Sequence, residues 1–340
     1  MTKRLRPILR FIFFLGLGLF FVWGSVKDIA DTDRQHISAA LREARYWLAI
    51  PGFLFLMLSH WVRALRWKLL IEPLGYYPTK ANTFFAVMIG YLANQAVPRL
   101  GEVLKCSTLA RYEKVPLDKL LGTVILERLI DTLCLGLIFL FTLGIQPDLY
   151  DRIMNTFFAG SEGSSKSNLL LYAAIAVALV VLGILAWMII AKKSFADIYR
   201  NIKNIVTRVW EGIATIRHLK KRQAFVMYTL LIWFLYAICG YIGFLAFEEM
   251  QHHGLKEMMT VLCAGSIGMV ATPGGIGAYA FLLQKTMQLY GSNSGIALAY
   301  GWVMWLMQIV VVLVGGLLSL ILLPLRNKST LLNSSTTNEK

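Results

Sequence analysis

Two apolar runs of this chain are each interrupted by proline and glycine, and this restricts the folds open to it. The first run stops at Asn94-Gln95-Ala96-Val97-Pro98-Arg99-Leu100-Gly101-Glu102, and the second is split by Ala271-Thr272-Pro273-Gly274-Gly275-Ile276-Gly277. Backbone freed at such breaks cannot face lipid. It survives at membrane depth only inside protein or beside a wet cavity. Paired interruptions in the two halves of a membrane protein point to a binding site near the bilayer midplane.

The membrane setting follows from composition. The chain is 57% hydrophobic with mean hydropathy +0.61, and several apolar runs approach or exceed the roughly 20 residues of a spanning helix. The predicted fold class is all-α: a polytopic integral membrane helical bundle. Connections between runs are too short to bury a soluble core of their own. The net charge of +15 does not imply nucleic acid, because the basic residues cluster beside apolar segments, where they set topology and meet anionic lipid. No nucleic-acid motif accompanies them. Cys106, Cys134, Cys239 and Cys263 are scattered without C-x-x-C spacing and read as structural thiols.

One transmembrane domain is expected over 1–325. Its spans fall at about 8–26, 46–62, 117–143, 169–191, 224–247 and 295–323, with a polar, disordered cytoplasmic tail over 326–340. The N-terminal run resembles a signal peptide, but a cleavage site around Gly24 and Ser25 is poorly formed, so an uncleaved first helix is expected. Residues 28–45 are polar with Ile37, Leu41 and Ala44 at helical spacing, as in a surface helix. A basic segment over about 194–217 carries one apolar stripe and should lie flat in the headgroup layer.

Charge fixes the topology. Residues 192–222 hold nine Lys and Arg against Asp197 and Glu211, whereas 146–168 hold only Arg152 and Lys166 against Asp148, Asp151 and Glu162. The first segment is therefore cytoplasmic and the second external. The N-terminus, the basic 63–80 connection and the tail are also placed inside. These assignments agree only if 81–112 enters and leaves from the cytoplasm as a re-entrant hairpin. By the same count 255–290 is a hairpin entered from outside. Two opposed re-entrant hairpins, each flanked by spans, make an inverted-topology repeat.

Candidate chemistry gathers at depth. Glu127 lies roughly 15 Å into its span, near the middle of a roughly 30 Å hydrocarbon core. Glu127 and Asp131 share a helix face, and Arg128 can reach Asp131 at three residues. A substrate-binding set of Arg99, Glu102, Glu127, Arg128 and Asp131 is expected, with guanidinium groups matched to phosphate. A structural ion pair, such as Arg128 with Glu102, is the competing reading. Hairpin tips are assigned to Asn94, Gln95, Pro98, Gly101, Thr272, Pro273, Gly274, Gly275 and Gly277. Helix starts beyond Pro98 and Gly275 would present free N–H groups to an anion.

The glycine-rich stretches lack a βαβ context, so a dinucleotide site is not expected. His252 and His253 lack companion metal ligands. No catalytic residue, cofactor or metal is assigned.

The order and spacing of Pro98 to Glu102, Leu126-Glu127-Arg128-Leu129-Ile130-Asp131 and Pro273 to Gly277 resemble the transmembrane, flippase-like region of lysylphosphatidylglycerol synthases. The resemblance covers nearly the whole chain. It implies a helical membrane domain that moves phospholipid between leaflets, here without the aminoacyl-transferase domain of the fused members. The expected function is a non-enzymatic lipid translocase of a bacterial cytoplasmic membrane, with both termini inside. Its partners would be membrane lipids, with a homo-oligomer and a separate lipid-modifying enzyme also compatible. The alternatives are a membrane transferase on lipid-linked substrates and an ion-coupled transporter of a small anion.

Overall fold

A computed structural model describes residues 16–27, 29, 31–97, 100–149, 151–152 and 219–328. Outside them lie the start of the first expected span (8–15), Pro98, Arg99, the 169–191 span, the 194–217 helix and the tail from 329 onward. Residues 146–218 form a separate compact unit, of which 146–149 and 151–152 are described, a turn leading into a helix.

The described chain is helical, with no strand. The helices are α1 (Gly16–Val26), α2 (Asp31–Glu43), α3 (Ala49–Ile71), α4 (Lys80–Ala96), α5 (Leu100–Glu113), α6 (Leu117–Ile145), α7 (Arg222–Ala246), α8 (Leu255–Ala271), α9 (Ala278–Leu289) and α10 (Ser294–Arg326). Among the described residues, three stretches are long and apolar enough to cross a membrane: Tyr46–Leu74, Arg222–Ala246 and Ser294–Arg326. Their outer faces leave Leu54, Leu230, Phe234, Leu317 and Ile321 exposed. In oil such residues need no cover, so the pattern is that of a lipid-bathed bundle.

α3 runs well past the expected end at residue 62. Arg63 and Arg66 continue it because Ala64, Trp67, Leu70 and Ile71 carry its buried face onward, and both guanidinium groups find anions inside the protein. The sequence reading of residues 63–80 as a basic connection is corrected by this helix. The chain leaves it through a tight turn at Gly75, whose φ is +87°.

α3 and α7 pack antiparallel and are tied at both ends. The Arg45 N–H donates to the Ala246 carbonyl at 2.9 Å, and Lys221 pairs with Glu72 at 3.2 Å.

α4 and α5 form a helical hairpin. At its base Glu113 accepts from the Thr79 N–H at 3.0 Å, the Thr79 hydroxyl at 2.7 Å and the Asn82 amide at 2.7 Å. Near its tip the two backbones touch: a Cβ on Gly90 would stand 2.8 Å from the Gly101 carbonyl, and one on Gly101 would collide with the Gly90 carbonyl. Glycine at both positions allows this approach, and no larger residue fits.

α8 and α9 form the second hairpin, joined by a 3₁₀ turn at Pro273–Gly275. Gly274, Gly275 and Gly277 take φ of +61°, +71° and +71°, a region closed to most side chains. At the base, Thr260 and Tyr290 share a hydrogen bond of 2.7 Å.

The two hairpins are exchanged between halves. α4 of the first lies along α10, where Gly315 and Gly316 face Met88 and Leu92. α8 of the second lies along α6, where Thr142 meets Cys263 at 4.0 Å. The tips meet at Gly274, where an added Cβ would collide with the Gln95 amide oxygen. Methionine recurs opposite glycine at these contacts: Met307 on Gly52, Met304 on Gly243, Met269 on Gly275, and Met88 with Met57 on Gly315. α1 packs on α9 through Phe21 and Phe281, with ring centroids 5.4 Å apart. α2 lays Ile37, Ala40 and Leu41 against the cluster around Phe247, Met250 and Tyr300.

Replacing Gly101 by alanine forces α4 and α5 apart. Overpacking of this kind costs about 1–3 kcal/mol, so thermal unfolding of purified Gly101→Ala in detergent should begin well below the wild type.

A buried charge network between three helices

Three helices bring charge to one level. Arg63 is eight residues before the end of α3, and Lys105 is eight before the end of α5. At 1.5 Å per residue both sit about 12 Å from that end of the bundle. Glu127 is ten residues into α6, about 15 Å from the same end. The three helices thus bring these side chains to one level, about 12 to 15 Å in from that end.

The contacts are close. Lys105 Nζ lies 2.6 Å from one Glu127 oxygen. The other Glu127 oxygen is 3.5 Å from Arg66 Nη2 and 3.6 Å from Arg63 Nη1. Asp131 spans the two arginines, with Oδ2 2.5 Å from Arg63 Nη1 and Oδ1 2.7 Å from Arg66 Nη2. Arg63 also donates to the Tyr236 hydroxyl at 3.2 Å. The Lys105 ammonium stands 4.0 Å from the centre of the Trp67 ring, and the Trp67 indole donates to Thr123 at 2.9 Å.

Arg66 and Glu127 are sealed, with side-chain exposures of 0% and 4%, whereas Asp131 keeps 15%. Among the described residues the network therefore holds three cations and two carboxylates, one positive charge in excess. Among the described residues, Arg63 Nε, Arg66 Nε, Arg66 Nη1 and His60 Nδ1 are buried without a hydrogen-bond partner. Burying ion pairs rarely adds net stability over apolar packing, and donors left idle inside a protein are uncommon.

The expected site residues divide. Glu127 and Asp131 come together on one face of α6. Arg128 does not join them: it is one residue past Glu127, turned about 100° away, and pairs with Glu102 at 3.2 Å where both are partly exposed. The expectation that Arg128 reaches Asp131 is corrected; Asp131 is held by Arg63 and Arg66. The sequence reading missed Arg63, Arg66 and Lys105. Their signal was there: Arg63 and Arg66 lie three apart on an apolar helix, which puts them on one side.

The hairpin tips are largely spent on their own backbone. Asn94 accepts from the Gly101 N–H at 2.8 Å and so caps α5. The Thr272 hydroxyl donates to the Ile276 carbonyl at 2.9 Å across the second break. The Gly274 carbonyl takes the Trp305 indole N–H at 2.9 Å. Pro273 opens the turn, and Gln95 reaches the other hairpin at Gly274.

The sequence matches the family described as lysylphosphatidylglycerol synthase TM region over residues 8–325, and the chain belongs to that family. It is also similar to UPF0104 membrane protein MJ1595 of Methanocaldococcus jannaschii, with 31% identity over 98 residues, 28% of this chain and 29% of that protein. No solved structure matches.

Breaking a buried pair from one side leaves a naked charge and costs about 3–5 kcal/mol. Glu127→Gln should lose stability on that scale, and adding Lys105→Met should restore part of it. Arg128→Ala, at a half-exposed pair, should cost about 1 kcal/mol or less. A double-mutant cycle by thermal denaturation checks all three.

Proposed function

We propose that this member of the family is a lipid translocase of a bacterial cytoplasmic membrane. The headgroup of a phosphate-bearing lipid passes through a polar site between the hairpins while its tails stay in the bilayer. The observation that carries this reading is the ion network of α3, α5 and α6 at about half the depth of the bilayer core. Lipid tails need no help to cross, whereas a charged headgroup does, and fixed charge at that depth lowers its barrier. In this reading α4–α5 and α8–α9 are re-entrant hairpins entered from opposite faces, and the halves form an inverted repeat. The exchanged packing of α4 on α10 and α8 on α6 supports this arrangement, because a twofold axis would relate the two contacts. Glu102 and Arg128 stand at the mouth of the site. Both chain termini are assigned to the cytoplasm from the lysine and arginine bias.

Two measurements test the reading. In proteoliposomes, a headgroup-labelled phospholipid should change leaflet faster with the wild-type chain than in protein-free vesicles. The charge-neutral pair Lys105→Met with Glu127→Gln should slow that movement about tenfold or more, equivalent to roughly 1.4 kcal/mol of barrier; equal rates would remove the role of the network. For the hairpins, cysteines at Lys80 and Lys114 in a chain cleared of native cysteine should label from the cytoplasmic face alone. Labelling of the two from opposite faces would make α4 and α5 a crossing.

A further inference from the structure

We propose that Arg63 and Arg66 form a phosphate clamp whose place is held, in this conformation, by Asp131. The inference deepens the lipid-translocase reading and rests on it only for the source of the phosphate. Three observations carry it.

The first is geometric. Asp131 uses one oxygen for each guanidinium, at 2.5 and 2.7 Å. Two oxygens of one anion shared between two guanidiniums is also how a phosphodiester's two free oxygens would sit. Glu127 does not play this part. Its short contact is to Lys105, and its arginine contacts are 3.5 Å or longer.

The second is electrostatic. Three cations face two carboxylates, so the network keeps one positive charge in excess and can exchange one monoanion for another without losing that excess. A phosphodiester carries one negative charge, as does a carboxylate. If the incoming anion displaces Asp131 toward solvent, the remaining Arg63, Arg66 and Lys105 face Glu127 and the phosphate with the same balance as now. Asp131 is the carboxylate placed to make room, since it alone of the two retains appreciable exposure.

The third is the idle donors. Arg66 is fully buried, yet its Nε and Nη1 have no partner among the described residues, and neither has Arg63 Nε. A guanidinium presents five N–H donors, and Asp131 with Glu127 engages only Nη2 of Arg66. A phosphate group offers more acceptor oxygens than a carboxylate and can take up N–H groups that Asp131 leaves unused. The walls beside these donors are aromatic: the Arg66 guanidinium lies 5.9 Å from the Phe225 ring and that of Arg63 6.0 Å from the Tyr236 ring.

The clamp makes a prediction of unusual sign. If Asp131 contacts the substrate as a required group, Asp131→Asn weakens binding. If it is a stand-in, its removal frees the clamp and strengthens binding, by about tenfold where the stand-in fills the clamp nine-tenths of the time. The test is thermal unfolding of the full chain in detergent with three probes: dihexanoylphosphatidylglycerol, inorganic phosphate, and dihexanoylglycerol, which lacks phosphate. The wild type should be stabilised by a phosphate-bearing probe and not by dihexanoylglycerol. Arg66→Gln should lose the shift, and Asp131→Asn should reach half-saturation at about one tenth of the wild-type concentration.

Where Arg66→Gln does not yield folded protein, Arg66→Lys is read in its place, since it keeps the charge and loses the planar fork. A shift with the lipid alone assigns the phosphate to a headgroup. A shift with inorganic phosphate as large as with the lipid keeps the clamp and removes the support it lends to lipid movement. The clamp is overturned if no phosphate-bearing probe shifts unfolding, if the Arg66 variant keeps the wild-type shift, or if Asp131→Asn binds more weakly. Lipid movement in vesicles that survives Arg66→Gln unchanged overturns the clamp and leaves the translocase reading standing.

Discussion

Charge moved out of water has to be balanced within a few ångströms, and that need places α3, α5 and α6 relative to one another. Arg63 and Arg66 point from α3 toward α6, Lys105 points from α5 to the same spot, and Glu127 with Asp131 answer them. The rest of this half follows. The α4–α5 hairpin must lie close enough for Lys105 to reach Glu127, and the Gly90–Gly101 contact permits it. Trp67 covers the Lys105 ammonium with its ring while its own N–H is satisfied by Thr123. Apolar packing around Ala64, Val87, Leu109 and Leu120 builds the core beside the ionic centre.

The helices from α7 to α10 enclose a different kind of core. It is aromatic and sulfur-rich, built on Phe244, Phe247, Tyr279, Tyr300, Met287 and Met304. The Phe244 and Tyr300 rings stack with centroids 5.4 Å apart. Similar helix–hairpin–helix order thus supports an ionic centre on one side and an apolar one on the other. The two hairpin tips meet where backbone is least regular, at Gln95 and Gly274.

Much of this was legible in the sequence, for physical reasons that also mark its limits. Helix class follows from apolar runs in a chain that has no other way to satisfy its backbone in oil. The breaks were visible because proline and glycine report backbone geometry directly. Glu127 and Asp131 stood out because a span containing carboxylates is costly anywhere but inside. Arg63 and Arg66 escaped for the opposite reason. They follow an apolar run at the place where interfacial cations normally sit, and only tertiary contact distinguishes a buried arginine there from a topological one. The same ambiguity hid Lys105 in a helix of mixed polarity. That Arg128 pairs with Glu102, the competing reading, and not with Asp131 depends on which face of the helix turns inward, which proximity along the chain cannot tell. Asn94 and Thr272 were recognised as polar tips, but whether such a group serves backbone or ligand depends on distances that spacing does not encode.

The pairing of methionine with glycine along the helix contacts has a mechanical consequence. Where Met307 lies on Gly52, Met304 on Gly243, and Met88 with Met57 on Gly315, one surface is bare backbone and the other an unbranched thioether chain with three rotatable bonds. Branched side chains interlocked like teeth must unseat before they slip. A thioether resting on a smooth stretch of peptide follows a displacement by rotating about its own bonds, at little energetic cost. These seams are the bearings of the molecule.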